Sequence, residues 1–489
     1  MKTTLLSTLG LGVAMVSCLS ATDRPNLVIV MTDEHNLRTI GCYRDLMSPD
    51  QAYIWGEGVK VDTPHIDSLA RDGALVSNFF VSTPVCSPSR AAFLTGKYPH
   101  QVGVPTNDLP MSDDTITIAE VLSQAGYATS YIGKWHLDGD GKPQWAPERK
   151  FGWQDNRYMF NRGHYKKLKD TPDGPRVDAR LGKDGIPRSD VGDADEKSYT
   201  TDFLMDRTLD FIRKEKEGPF CVMLSLPDPH GPNQVREPYN TMYRHLNFQE
   251  PRTMFKSEHE TPGWSERSGN NYIEDQQLKP EAMAAIFGMV KCIDDNMGRL
   301  LTELEALNLT ENTIVVFTSD HGDLMGEHRR HNKGLPYDTS AKVAFLLKHP
   351  GKIPAGKKIT ASMTSADFGP TVLSLMGVES ALPNVPGRDF SLSFSDGRPE
   401  VHSDHASYMR ATTVKPNWVA VTDSRHKLII SDRDKPWLLD LTTDPDELHN
   451  RYDDRAYAET RARLTHDLRL WMERVEEPAL QDPAFNRWL

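Results

Sequence analysis

The chain has 489 residues, 38% hydrophobic and 26% charged, enough for one large core with a smaller appended unit. Its formal net charge of −12 excludes general affinity for nucleic acid or anionic membranes and disfavours long-range attraction of an anionic substrate, so any anion binding must be local. Of 5 cysteines, Cys42, Cys221 and Cys292 remain once Cys18 and Cys86 are set aside, an odd set that offers at most one bridge and no disulfide framework.

Residues 1–21 hold Lys2, an apolar run from Leu9 to Val16 and then small residues, too short to span a bilayer and readable as a secretory signal. Cys18, preceded by Met-Val-Ser, offers a second reading as a lipidated cysteine, although methionine three residues before it is a poor match. The expectation is a secreted or periplasmic protein, or an outer-membrane lipoprotein if Cys18 is acylated. Only that lipid would bring it to a membrane, since no other apolar run reaches ~18 residues.

Asn26 to Met31 is a continuous apolar run rich in β-branched residues, which predicts a central parallel strand covered on both faces. It ends in Thr32-Asp33-Glu34-His35. Two adjacent acids at the carboxyl end of such a strand lie where open α/β sheets hold ligands, and their oxygens suit a hard divalent cation; a solvated turn is the other reading. Thr83 to Lys97 opens a short helix at Cys86. A helix start favours anions, and Arg90, one turn on, adds a donor fork, although spacing alone equally allows a buried thiol.

Ile116 to Gly126 reads as an amphipathic helix stopped by glycine, and Tyr127 to Ile132 as a second strand. That strand runs into Gly133-Lys134-Trp135-His136, whose lysine and histidine, two apart, share a face of an extended strand end. Residues 143–199 are polar and rich in Gly, Pro, Asp and Arg, as in a long surface excursion. Phe203 to Lys214 is helical in spacing, and Pro219 to Leu226 is a third strand delivering Pro227-Asp228-Pro229-His230-Gly231-Pro232, where prolines restrict the backbone around His230. Residues 233–279 are irregular, with Arg236, Tyr239, Arg244, His245, Trp264 and Arg267 offering weak candidates for a sugar carrying anionic groups.

Pro280 to Leu307 has apolar residues at spacings of three and four and is read as a core helix. Thr313 to Ser319 is a fourth buried strand, ending at Asp320-His321-Gly322-Asp323, and Val343 to Leu347 is a further strand. Between them lies a basic run containing His328, Arg329, His331 and Lys333. A Pro-, Gly- and Ser-rich stretch over 381–398 marks a boundary, so the expected division is a signal over 1–21, a catalytic α/β domain over 22–390 and an α+β subdomain over 391–489. In the last, Trp418 to Thr422, Lys427 to Ser431 and Trp437 to Asp440 read as antiparallel strands, and Asp453 to Val475 as a helix.

Cys-x-Pro-Ser-Arg at 86–90, followed by Ala-x-x-Leu-Thr-Gly, resembles the signature of the formylglycine-dependent (type I) sulfatases of the alkaline-phosphatase superfamily, and partner motifs recur from Asn26 to about Tyr452. The resemblance implies an α/β fold with a large, mixed but mostly parallel sheet sandwiched by helices, and a smaller C-terminal α+β subdomain containing an antiparallel sheet. It implies that Cys86 is oxidised to formylglycine by a partner, a formylglycine-generating or anaerobic sulfatase-maturing enzyme. A calcium ion (Ca2+) would be held by Asp33, Glu34, modified Cys86, Asp320 and His321. Catalytic positions would be Cys86, Arg90, Lys134, His136, His230 and Lys333, the last matching the family's lysine upstream of its Tyr-x-x-Ser segment. Two departures stand out: the family often has aspartate where this chain has Glu34, and asparagine where it has His321.

By the same resemblance, the hydrated aldehyde is a gem-diol, one hydroxyl of which attacks the sulfur of a sulfate monoester while the cation, Arg90, Lys134 and Lys333 hold the sulfate oxygens. His230 protonates the leaving sugar oxygen, and His136 takes the proton whose loss expels sulfate and restores the aldehyde. The expected substrate is a sulfated carbohydrate. Two rival readings share these residues: a phosphodiesterase or phosphonate monoester hydrolase of the same superfamily, and a non-catalytic sulfoglycan-binding protein in which Cys86 stays a thiol.

Overall fold

The computed structural model describes residues 24–265, 272–378, 382–395, 406–411 and 417–489. The expected signal over 1–21, with Cys18, and Arg267 lie outside these residues. Strands β1 (Asn26–Asp33), β2 (Ala74–Phe80), β3 (Ala128–Lys134) and β4 (Met159–Phe160) are followed by a separate hairpin of β5 (Leu168–Thr171) and β6 (Gly174–Val177). Then come β7 (Phe220–Pro229), β8 (Thr313–Ser319), β9 (Phe345–Lys348) and β10 (Lys357–Thr364), completing an 8-stranded sheet of order β10-β2-β9-β8-β1-β7-β3-β4. β1 runs parallel to both β7 and β8, and β3 runs parallel to β7, whereas β9 is antiparallel to β2 and β8.

β1 shows no alternation of polar and apolar residues because both its faces are covered. Leu27, Ile29 and Met31 pack with helices α2 (Cys86–Thr95), α3 (Ile118–Gln124) and α6 (Phe368–Leu375). Val28 and Val30 pack on the opposite side with α1 (Pro64–Arg71), α4 (Thr200–Glu215) and α5 (Pro280–Ala306). The parallel strands β1, β3, β7 and β8 share one direction, so their carboxyl ends open at one edge of the sheet, the place where such folds gather ligands.

Strands β2 and β10 were not expected from the sequence. β2 carries Ser77 and Asn78 at its centre, and β10 begins with Lys357-Lys358; each becomes a strand because it pairs with the other at the margin of the sheet. The excursion over 143–199 also differs from expectation. It is not confined to the surface: Trp153, Met159, Phe160, Tyr165 and Lys166 are buried, and β4 adds to the sheet edge beside β3.

Beyond residue 400, β11 (Ser407–Ala411), β12 (Trp418–Thr422), β13 (His426–Ser431) and β14 (Trp437–Asp440) form an antiparallel 4-stranded sheet in chain order. One face packs on α7 (Ala458–Arg474) through Leu464, Leu468 and Met472, together with Ala92 and Tyr98 from the α2 region. The other face packs on Phe80, Trp264 and Tyr337. Trp264 is therefore a core residue and not a sugar platform, and Arg236 and Tyr239 are likewise spent on structure, pairing with Asp202 and Asp295. Cys42, Cys86, Cys221 and Cys292 form no disulfide. No helix among the described residues is long and apolar enough to cross a membrane.

Candidate active site

Three chain segments meet around Cys86. β1 delivers Asp33, β8 delivers Asp320 and His321, and α2 places Cys86 at its first residue and Arg90 one turn on. The ligand atoms of Asp33, Cys86, Asp320 and His321, all four residues buried, lie within 4.8 Å of one another. The strand ends are locked together by backbone bonds from Asp320 N to Thr32 O (3.0 Å) and from His35 N to His321 O (3.0 Å).

Arg90 decides how the two carboxylates face. It is fully buried, and its Nη2 and Nε donate to Asp33 Oδ2 (3.2 Å) and Asp320 Oδ2 (2.9 Å), while Nη1 donates to Lys134 O (2.8 Å) and Ser225 Oγ (2.6 Å). Lys134 Nζ also donates to Asp33 Oδ2. With the outer oxygens engaged, Asp33 Oδ1 faces Cys86 Sγ (3.8 Å) and His321 Nε2 (3.7 Å), and Asp320 Oδ1 faces His321 Nε2 (3.5 Å). His321 Nδ1–H donates to Gly322 O (2.9 Å), which turns Nε2 inward as a ligand nitrogen.

These groups fit a divalent cation. Burial alone would lower the His321 ring, but Asp320 raises it to about 9. Burial pushes the Asp33 carboxyl up, and Lys134 and His164 overcome this to hold it well below its ordinary range. The Cys86 thiol is likewise raised by burial and brought well below its ordinary range by Lys134 and Lys333. Two carboxylate oxygens and an imidazole nitrogen beside residue 86 make a mainly oxygen donor set of the kind a hard divalent cation takes.

Glu34 stands apart from those four atoms. Its backbone is left-handed (φ 62°), and its Oε2 lies 2.9 Å from His230 Nε2 and its Oε1 3.3 Å from Lys333 Nζ. Burial would raise this carboxyl, yet His230 and Lys333 bring it down to about 2. His230 Nδ1–H donates to Gly231 O (2.9 Å), so Nε2 is the atom offered to the cleft, 2.7 Å from Lys333 Nζ. His136 (φ 59°) leaves the end of β3 and pairs through Nε2 with Asp108 Oδ1 (2.9 Å), while Arg162 holds the other oxygen of that carboxylate, Oδ2, at 2.7 Å. In the basic run, His328 is buried and stacked on Tyr337, and Arg329 donates to backbone oxygens of residues 273 and 274; neither is directed at the cluster.

Several residues of this site were not singled out from the sequence. His164, from the supposed surface excursion, lies 2.8 Å from Lys134 Nζ and stacks on His230 with ring centroids 3.6 Å apart. Asp108, Lys166 and Ser225 join it from segments with no motif of their own. Asp33, His164 and His230 form a second convergence of ligand atoms, but the ammonium groups of Lys134 and Lys333 already lie within hydrogen-bond reach of it, which disfavours a second metal there.

Comparison with known proteins decides the family. The model of the sulfatase family matches residues 25–378, most of the chain. The chain belongs to the sulfatase family. A second model, the C-terminal region of N-sulphoglucosamine sulphohydrolase, matches residues 326–474. An ulvan-active sulfatase of Formosa agariphila is 30% identical over 383 residues, covering 77% of this chain and 66% of the relative. An endo-4-O-sulfatase of Bacteroides thetaiotaomicron is 30% identical over 399 residues, covering 78% and 75%. A solved structure of a protein in complex with its substrate D-glucosamine-2-N,6-O-disulfate has the same fold, with a TM-score of 0.75 at 23% identity over 94% of this chain and 99% of that one. This sulfatase is thus a sulfuric ester hydrolase, and its mostly parallel sheet with an appended antiparallel sheet is the fold that the motifs implied.

Proposed function

We propose that the enzyme removes sulfate from a sulfated poly- or oligosaccharide outside the cytoplasm, using formylglycine made from Cys86 and one calcium ion. What carries this reading is the position of Cys86 at the first residue of a helix, between two carboxylates whose outer oxygens are taken by Arg90, with Lys134 and His230 close by. The glycan substrate is supported by the relatives, one ulvan-active, one an endo-4-O-sulfatase, and by the neighbour holding a disulfated glucosamine.

Asp33, Asp320, His321 and residue 86 would hold the calcium ion, which supplies positive charge to the sulfate oxygens. Formylglycine, once hydrated, supplies a hydroxyl as nucleophile and a second hydroxyl whose deprotonation releases sulfate. The chain's own residues do the rest. Lys134 is fixed on Asp33 and Lys333 on Glu34, so two ammonium groups are held in place as donors to the sulfate oxygens. His230 Nε2 faces the cleft and is the atom placed to protonate the leaving sugar oxygen. His136 is oriented by Asp108, and its buried Nδ1 has no hydrogen-bond partner among the described residues, which leaves that atom to take a proton.

The test combines mass and rate. Protein from a host with a maturation enzyme should carry residue 86 about 18 Da lighter than cysteine, as an aldehyde. Cys86→Ala should abolish sulfate release while the protein still folds. Active protein with an unmodified thiol would refute the mechanism, and faster turnover of aryl phosphodiesters than of sulfated sugars would favour the phosphodiesterase reading.

A further inference from the structure

His164 belongs to a segment that the sequence marks only as polar, yet the path of the chain brings it into the centre of the site. After β4, Phe160 O and Asn161 O accept from Trp135 N (2.8 Å) and His136 N (2.6 Å), so this segment runs beside the exit of β3 before turning under His230. Two residues past His164, the fully buried Lys166 donates to His230 O (3.0 Å) and to Asp228 Oδ1 (2.6 Å). Asp228 is held in turn by Tyr199 Oη (2.7 Å) and Thr201 Oγ1 (2.6 Å). The backbone of residue 230 is therefore anchored from below. Its ring is met at its edge, by Gly231 O at Nδ1 and by Glu34 Oε2 (2.9 Å) and Lys333 Nζ (2.7 Å) at Nε2; the terminal torsion of a histidine is broad, and these contacts leave the ring face uncovered.

The ring of His164 supplies what is missing. It lies parallel to that of His230, 3.6 Å away with an interplanar angle of 7°, a contact that fixes the plane in which Nε2 of His230 points. The same side chain meets Lys134, whose Nζ is 2.8 Å from His164 Nε2. An ammonium has three N–H donors and no acceptor, so His164 Nε2 accepts here. Asp33 and His164 take two of the three N–H groups of Lys134, and the third then has one direction left, away from both.

We propose that His164 is a positioning residue of this active site, joining the ring that protonates the leaving oxygen to the lysine that grips the sulfate. The inference rests on the assignment of His230 and Lys134 made above. It separates two contributions of one side chain: the ring face orients the acid, and the nitrogen acceptor orients the lysine. His164→Phe keeps a ring face and loses the acceptor, whereas His164→Gln keeps an acceptor at the place of Nε2 and loses the face. His164 is partly exposed, with 23% of its side chain accessible, so these variants are expected to fold, checked by an unchanged melting temperature.

Loss of the face should lower kcat on a sulfated sugar roughly 10- to 100-fold, and much less on an aryl sulfate whose leaving group needs little protonation. Loss of the acceptor should leave kcat on the sugar within about 3-fold while raising KM, and the inhibition constant of inorganic sulfate, by roughly 5- to 10-fold. His164→Ala should show both effects. Unchanged kinetics in His164→Ala, or equal losses on both substrates with no change in sulfate inhibition, would overturn the proposal. His230→Ala is the control: equal losses on both substrates in that variant would remove the acid assignment, and the proposal would then be judged on sulfate inhibition in His164→Phe, where no weakening refutes it.

Discussion

Arg90 shows how much a single buried side chain decides in this protein. Its five N–H groups meet two carboxylates, a backbone carbonyl and a hydroxyl, and the geometry they impose is what leaves the inner oxygens of Asp33 and Asp320 facing Cys86. Lysine at this position keeps the charge but not the fork. Arg90→Lys is therefore expected to lose nearly all turnover, since the two carboxylates would no longer be held apart in register. Arg90→Met would also strand two buried carboxylates and should cost about 3–5 kcal/mol, read as a lower midpoint in urea. A midpoint within error of the parent protein would mean that Lys134 alone neutralises the pair. Cys86 itself is buried, 2% exposed, and not the exposed side chain that its proposed chemistry suggests.

At the scale of elements, the site is a junction of strand ends, and a bound cation would cross-link β1, β8 and α2. Chelation is expected to abolish activity and to lower the melting temperature, and calcium, not zinc, should restore both, since the ligands are mainly oxygens. Zinc-only recovery would contradict the assignment. The end of β3 carries a second constraint. Gly133 has φ +107°, and a Cβ there would fall 1.9 Å from Ser225 O on β7, so no other residue fits without separating the two strands. Gly133→Ala should destabilise the protein by about 2 kcal/mol or more and displace Lys134 next to it, raising KM for any sulfate ester. Normal kinetics with a merely lower melting temperature would show that Lys134 keeps its place without that strand register.

Over the whole molecule, burial of neutral histidines ties stability to pH. His35, fully enclosed with Thr32 and Thr39 as its partners, is lowered by burial to about 3, and His349 is lowered by burial and Lys352 to about 4. Above about pH 6.5 neither state binds the protons, so the two rings are neutral in their effect. As pH falls below 6.5 the unfolded chain takes up protons that the folded one refuses, so stability declines by up to about 1.4 kcal/mol per pH unit for each ring until its folded pKa is reached. Asp323 and Glu447, raised by burial to about 7, take up protons in the folded state over the same range and offset part of this loss. His100, His164, His328 and His331 are lowered by burial as well, so the melting temperature should fall between about pH 6.5 and 4.5. His349→Asn, remote from the site, should flatten that slope; an unaltered slope would place the loss in other groups. The C-terminal sheet shares in this unit, with Arg410 N bonded to Ser82 O (2.9 Å) and Tyr98 Oη to Tyr408 O (3.0 Å), so both sheets should melt together.

What the chain itself determined is the set of strands β1, β3, β7 and β8 and the acids, lysine and histidines at their ends. A strand buried on both faces must be an apolar run, and the polar residues that follow it within a few positions must emerge at the same sheet edge when the strands are parallel. Cys86 and Arg90 were weighted by the resemblance of Cys-x-Pro-Ser-Arg to the sulfatase signature, because helical spacing alone equally allowed a buried thiol. The tertiary structure alone decided which remote side chains complete the site. Nothing local sets His164 apart from the other polar residues of its segment, and the burial of Trp153, Lys166 and Trp264 depends on surfaces contributed by distant parts of the chain. The direction of Glu34 was undecided for the same reason. A left-handed backbone turns its carboxylate to His230 and Lys333, and those two partners, supplied by distant parts of the chain, hold the buried acid there.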